Sequence, residues 1–144
     1  MTSRFLAKVL YTAQRHDGAF ERKVEQLVFE ALTYTDCEAM IYKYMESVTR
    51  AEFTIMKIDR FQVESYFITP LDCSEAPFFL AKTERVNLDN ITIKERILIQ
   101  CNSIEQARQV AEDVASSNGA YNAIIKSIVE TKITDYIHAE PDQD

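Results

Sequence analysis

Hydrophobic and polar positions recur along this chain in an order that predicts strand, strand, helix and strand, twice over. From Phe5 to Thr12, the residues Phe5, Ala7, Val9 and Tyr11 share one face of an extended segment. The polar stretch Arg15-His16-Asp17-Gly18 reads as a hairpin turn. A second strand is expected from about Phe20 to Leu32. Val24, Val28 and Leu32 lie on one face, and Leu27, Phe29 and Ala31 make the far half apolar on the other, which predicts burial on both sides. Thr35-Asp36-Cys37-Glu38 has the spacing of a capping box, in which a hydroxyl and a carboxylate satisfy free backbone N–H groups. Cys37, Met40, Ile41, Tyr44, Met45 and Val48 then recur at helical spacing as one apolar stripe. An extended stretch from Phe53 to Ile68 follows. Phe53 and Ile55 face one way and Met56 and Ile58 the other, so a bulge or bend is expected near Lys57 to Arg60.

The segment from Thr69 to Pro77 is bounded by prolines, which cannot donate ladder hydrogen bonds, and it is expected to separate two units. Beyond it the pattern returns. Phe79-Leu80-Ala81-Lys82 repeats Phe5-Leu6-Ala7-Lys8. A turn is expected around Asn87 to Asn90, then a strand with Ile91, Ile93, Ile97, Ile99 and Cys101 on one face. Ser103 to Gln106 is a second capping box, and Ile104, Ala107, Val110, Ala111 and Val114 form the stripe of a second helix. Asn118-Gly119 is expected to end that helix, and Tyr121 to Ile137 reads as the last extended stretch. The expected fold class is therefore α+β. It is an internal duplication of ββαβ units, with two helices packed on mostly antiparallel sheet, one or two in number. The expected organisation is one domain over residues 1–144: a first half at about 4–68, a linker at 69–77, a second half at about 78–137 and an acidic tail at 138–144.

Composition narrows the function classes without selecting one. Hydrophobic residues make up 47% of the chain and charged residues 27%, an ordinary globular balance that argues against disorder. The net charge of −7 opposes phosphate backbones and disfavours nucleic acid as a partner. Three cysteines, Cys37, Cys73 and Cys101, with no CxxC pair, suit free thiols in a reducing compartment. Met1 to Phe5 lacks the apolar core of a secretory signal, and no run approaches the roughly 18 apolar residues of a membrane span. A cytoplasmic location without membrane partners is the expectation.

The chemistry-bearing residues form no recognisable catalytic kit. His16 falls in a turn and His138 at the start of the tail, neither with ligand-spaced partners, so no metal site is expected. Cys37, in the first turn of a helix, is a candidate nucleophile, but a place on the apolar stripe makes it a small buried hydrophobe instead. Gly18 and Gly119 stand alone, which excludes a glycine-rich phosphate loop, and no cofactor is expected. Tyr11, Phe20, Phe29, Phe53, Phe61, Tyr66 and Phe67 interleave with Lys8, Arg22, Lys23, Lys57 and Arg60, a pattern that single-strand stacking would use and that core packing also explains. Among many carboxylates on strand faces, Glu64 and Arg60 in one half and Glu130 and Asp135 in the other would form a speculative site if the halves brought them together.

Three segments carry a family resemblance. They are Ala31-Leu32-Thr33-Tyr34-Thr35-Asp36-Cys37-Glu38-Ala39, then Ile58-Asp59-Arg60 with Glu64-Ser65-Tyr66-Phe67, and Ser127 to Asp135. Together they resemble a domain-of-unknown-function family of short proteins from Bacteroidetes and their phages. The resemblance implies a bacterial or phage setting and carries no mechanism. The leading expectation is a non-enzymatic binding or adaptor protein that self-associates or takes a protein partner through its strand edges. The alternatives are a phage-associated single-stranded nucleic-acid or virion accessory factor, and a small enzyme with carboxylates between the halves.

Overall fold

Strand alternation and a stripe of apolar side chains on each helix are enough to build two layers, and the computed structural model shows them built twice. It describes residues 2–49, 52–68, 76–117 and 123–139. Strand β1 (Ser3–Gln14) pairs antiparallel with β2 (Phe20–Ala31), Phe5 opposite Phe29. The connecting turn needs a left-handed residue, and Gly18 supplies it at φ 85. Asp17 accepts from the Ala19 N–H at 3.0 Å and pairs with Arg15 at 2.7 Å, which fastens the turn. Phe5, Ala7, Val9, Leu27 and Phe29 are buried against Cys37, Ile41 and Met45 of α1 (Tyr34–Val48). Val28 is also fully buried on the other face of β2, as the two-sided apolar pattern predicts. Val24 and Leu32, at the ends of that pattern, are exposed.

The cap of α1 corrects the expectation. The capping residue is Thr33, whose hydroxyl accepts the Asp36 N–H at 3.1 Å from an extended backbone. Thr33 and Asp36 have the same spacing as Thr35 and Glu38, so the capping pattern occurs in two registers and the helix uses the earlier one. In α2 (Ile104–Ser117) the expected Ser103 caps, accepting the Gln106 N–H at 3.3 Å. The Gln106 side chain accepts the Asn102 N–H at 2.8 Å, one residue before the cap.

The long extended stretches after each helix are not single strands. Phe53 to Ile68 divides into β3 (Phe53–Arg60) and β4 (Ser65–Ile68). Beyond β5 (Phe78–Val86), β6 (Thr92–Gln100) and α2, the described part of the second stretch divides into β7 (Ile124–Glu130) and β8 (Ile133–Ile137). β3 pairs with β1, and the register slips between Lys8 and Val9, where Met56 has no partner; the expected irregularity thus falls one residue before Lys57. Each division has a backbone reason. Phe61 still bonds Arg4 O of β1, while Glu64 N–H already bonds Arg96 O of β6. Thr131 likewise bonds Phe78 O through both its N–H and its hydroxyl, at 2.8 Å, before β8 begins.

Two four-stranded sheets result, β3-β1-β2-β8 and β4-β6-β5-β7. In each, two pairings are antiparallel and one is parallel: β8 on β2, and β4 on β6. The chain divides accordingly into two compact units, Met1–Phe61 with Ile133–Asp144, and Gln62–Lys132. The pairings of one unit correspond to those of the other. The slip at Lys8/Val9 recurs at Lys82/Thr83, and Leu27 opposite Asp135 corresponds to Ile97 opposite Ser65. The second core is built like the first, with Phe79, Ala81, Ile97 and Ile99 under Ala107 and Ala111 of α2. The expected linker at 69–77 lies mostly outside the described residues, as do the helix end at Asn118-Gly119 and most of the tail.

Candidate ligand groove

Past the cores, β5 and β6 continue the helix-bearing face of their sheet, first with the buried Thr83 opposite Glu95 and then, further along β5, with Arg85. Arg85 Nε donates to Glu95 Oε1 at 2.9 Å, and the pair is largely shielded, with side-chain exposures of 24% and 16%. α2 brings Asp113 and Val114 to the same place, and β4, as edge strand, brings Ser65 and Phe67, with Glu64 just before them. These seven residues line an open groove of about 740 Å³ within the second unit. Glu64 is held by two backbone contacts. Its N–H donates to Arg96 O at 2.9 Å, and its carboxylate accepts the Arg96 N–H at 2.5 Å. Asp113 accepts from the Gln109 amide at 3.0 Å, one helical turn back.

The corresponding place in the first unit is occupied. Tyr11 stands where Arg85 does and donates to Glu25 at 2.7 Å, Glu25 matching Glu95. Val114 follows its cap Ser103 at the distance at which Tyr44 follows Thr33, and Tyr44 donates to Asp135 at 3.0 Å, edge-on to Phe29. Burial above all, and then Glu25, pushes the Tyr11 hydroxyl up to about 12. Burial and then Asp135 raise Tyr44 as well. Both phenols are therefore neutral donors at physiological pH.

A further polar cluster lies on the other face of the first sheet. Arg4 Nε donates to the Tyr136 hydroxyl at 2.8 Å, and that hydroxyl donates to Glu30. Glu30 also accepts the Ala139 N–H at 3.2 Å and lies 3.4 Å from His138 Nδ1. Burial would raise the Glu30 carboxyl; the Tyr136 hydroxyl, the Ala139 N–H and the charges of His138 and Arg4 outweigh it and hold the group below its ordinary value. In the second unit Tyr66 donates to Gln100 at 3.1 Å in the matching register. This arrangement anchors the parallel strands β4 and β8.

Within each unit, the four residues singled out from sequence stand at opposite edges. Arg60 is on β3 and Asp135 on β8, with β1 and β2 between them; Glu130 is on β7 and Glu64 precedes β4, with β5 and β6 between. Three inter-strand spacings separate each pair, roughly 14 Å. Asp135 is taken up by Tyr44 and Glu64 by the groove, whereas Arg60 and Glu130 are exposed edge residues. Arg85, Glu95 and Asp113 escape a motif search because they form no spaced pattern. Superposing the halves on the repeated Phe-Leu-Ala-Lys would have set Tyr11 against Arg85 and exposed the difference.

The remaining candidates resolve plainly. Cys37 is fully buried, and burial, reinforced by Glu38, pushes its thiol up to about 11, so it is a packing residue. Of the interleaved aromatics only Phe20 and Phe67 are exposed, and the others are buried or half-buried. Among the described residues, no group of three His, Cys, Asp or Glu side chains is placed to hold a metal ion. No described helix is long and apolar enough to cross a membrane.

Fold and groove define an α+β protein of two four-stranded sheets, each with one helix, in which one unit carries an open polar groove. By sequence the chain belongs to a family described as a domain of unknown function (DUF4494), matched over residues 3–139. No curated protein and no solved structure matches it.

Proposed function

We propose that this chain is a non-enzymatic binding protein that holds its ligand in the groove of the second unit. One observation carries the reading: a groove of about 740 Å³ stands open where the first unit places Tyr44. That volume falls in the range of roughly 300–1,000 Å³ typical of small-molecule sites. The lining offers carboxylates, one arginine and apolar walls, and it lacks a nucleophile poised against a general base. A cytoplasmic setting belongs to the same proposal, supported by the free thiols Cys37 and Cys101; a bacterial or phage origin is proposed on the sequence resemblance alone.

The test is native mass spectrometry of the gently purified chain beside Val114→Tyr, which places the first unit's tyrosine in the groove. A small-molecule mass increment present in the parent and lost in the variant supports the reading. An increment that survives the substitution, or identical bare masses, counts against it.

Self-association through sheet edges is a second reading, favoured by β3 and β7. These edge strands carry the exposed Met56, Ile124 and Val129. Sedimentation of a monomer at every concentration would remove it.

A further inference from the structure

The edge of β2 is a fitted strand-acceptor site, and the connectivity of the chain limits which strand can fill it. β8 lies there parallel to β2, with Leu27 opposite Asp135 and Phe29 opposite Ile137. Side chains on both faces of the first sheet hold it. Tyr44 donates to Asp135 at 3.0 Å on the helix-bearing face. On the other face Arg4 and Glu30 engage the Tyr136 hydroxyl, and Glu30 also accepts the Ala139 N–H at 3.2 Å. Thr134 Oγ1 donates to Gln26 O at 3.4 Å, and Ile133 and Tyr136 are buried.

Neither half of the chain can fill this place by running on from its own third strand. The counterpart of β8 in the first half is β4, in which Ser65 matches Asp135. Phe61 still bonds Arg4 O of β1, level with Glu30. To take the place of β8, Ser65 would lie beyond β2 and level with Leu27, three inter-strand spacings across and three residues back. That is roughly 17 Å even in a straight line through the sheet. The chain from Phe61 to Ser65 spans at most about 14 Å. The second half is bound in the same way: Thr131 bonds Phe78 O, level with Gln100, and Asp135 stands as far beyond it as Ser65 does beyond Phe61. Each acceptor edge therefore takes its strand from a different half. Here that half belongs to the same chain, and a second copy presents an identical β8 that makes the same contacts.

We infer that the β2 edge is an interaction site for a second copy of this chain, which fills it with its own residues 133–139. This site is separate from the groove and from the β3 and β7 edges. The chain's own β8 competes at an effective concentration on the order of millimolar, so intact copies trade strands only towards that concentration. Weakening one chain's β8 turns its β2 edge to the neighbour's strand.

The test uses full-length chains carrying Cys73→Ser, since Cys37 and Cys101 are buried. Gln26→Cys is placed on one chain and Thr134→Cys on another, two positions that neighbour each other across the β2–β8 pairing. With both on one chain, oxidation should close an intrachain disulfide. With one on each, the mixed chains should give a disulfide-linked heterodimer. Its yield should rise at least about tenfold when the Gln26→Cys chain also carries Tyr136→Ala. No heterodimer, while the single-chain control closes, overturns the inference. A yield that ignores Tyr136→Ala marks random collision and overturns it as well. A control that stays open removes the β2–β8 pairing, and the interaction site with it. Should Tyr136→Ala not fold, as its thermal melt would show, Asp135→Asn takes its place with the same outcomes.

Discussion

Tyr11, Tyr44 and Tyr136 each aim a hydroxyl at a carboxylate in the first unit: Glu25, Asp135 and Glu30. A phenol that donates to a carboxylate and is buried resists ionisation, and the pH dependence follows from the direction of the shift. Folded values above the ordinary 10.0 mean that the stabilisation is intact below about pH 10 and is lost as pH rises toward 12 and beyond. Phenolate absorbance from these three should therefore appear together with loss of circular dichroism; ionisation of all three at the ordinary value, with the fold intact, would refute the assignment. Glu30 carries the opposite sign. Its folded value lies below the ordinary 4.5, so its contribution is present above that value and is lost as pH falls through the folded one. Glu30→Gln should lower the melting temperature at neutral pH and flatten its decline into acid, as a series of thermal melts would show.

The two helices bear unequal loads although they occupy matching places. α1 buries Cys37, Ile41 and Met45, whereas α2 buries Ala107 and Ala111 against its sheet. Truncating Ile41 to alanine should cost about 2–5 kcal/mol, because the core would have to collapse around the lost atoms. Denaturant unfolding measures this. At the start of α1, Thr33→Ala should cost about 1 kcal/mol, while Thr35→Ala should be close to neutral. The reverse order would mean that the helix begins in the later register. Most of this was legible beforehand, since apolar periodicity and hydroxyl-acid spacing are local signals. The register of the cap was not, because Thr33-Asp36 and Thr35-Glu38 are equally good locally.

Across the whole molecule, the order of the chain and the order of the sheets part company. β4 follows β3 in sequence but pairs with β6, and β8 follows β7 but pairs with β2, as far away as Gln26 opposite Ile133. The first unit thus needs a strand from the far end of the sequence, whereas the second is one continuous stretch, Gln62–Lys132. A fragment of residues 1–68 lacks β8, so it should show no cooperative thermal transition by itself and should regain one when mixed with residues 76–144. A sharp transition in the isolated fragment would refute this. Cys37 and Cys101 are both buried, so in a Cys73→Ser chain neither thiol should react with a disulfide reagent until the fold is lost. Rapid labelling of the native protein would contradict that burial.

The sequence by itself determined the strands that alternate, the two amphipathic helices, the hairpin turn at Gly18 and the burial of Cys37. Each follows from periodicity, capping chemistry or backbone freedom over a few neighbouring residues. It also marked Glu64 and Asp135 as noteworthy, though in a combination that neither unit makes. Tertiary structure decided what depends on pairing at long range. It split the third strand of each half, set β4 and β8 parallel on partners elsewhere in the chain, and placed Tyr44 over Asp135 while leaving Val114 beside an open groove. The physical reason is the same in each case. A strand's pattern states which faces are apolar, but its hydrogen-bonding edges are identical at every residue, so only the packed molecule selects the partner.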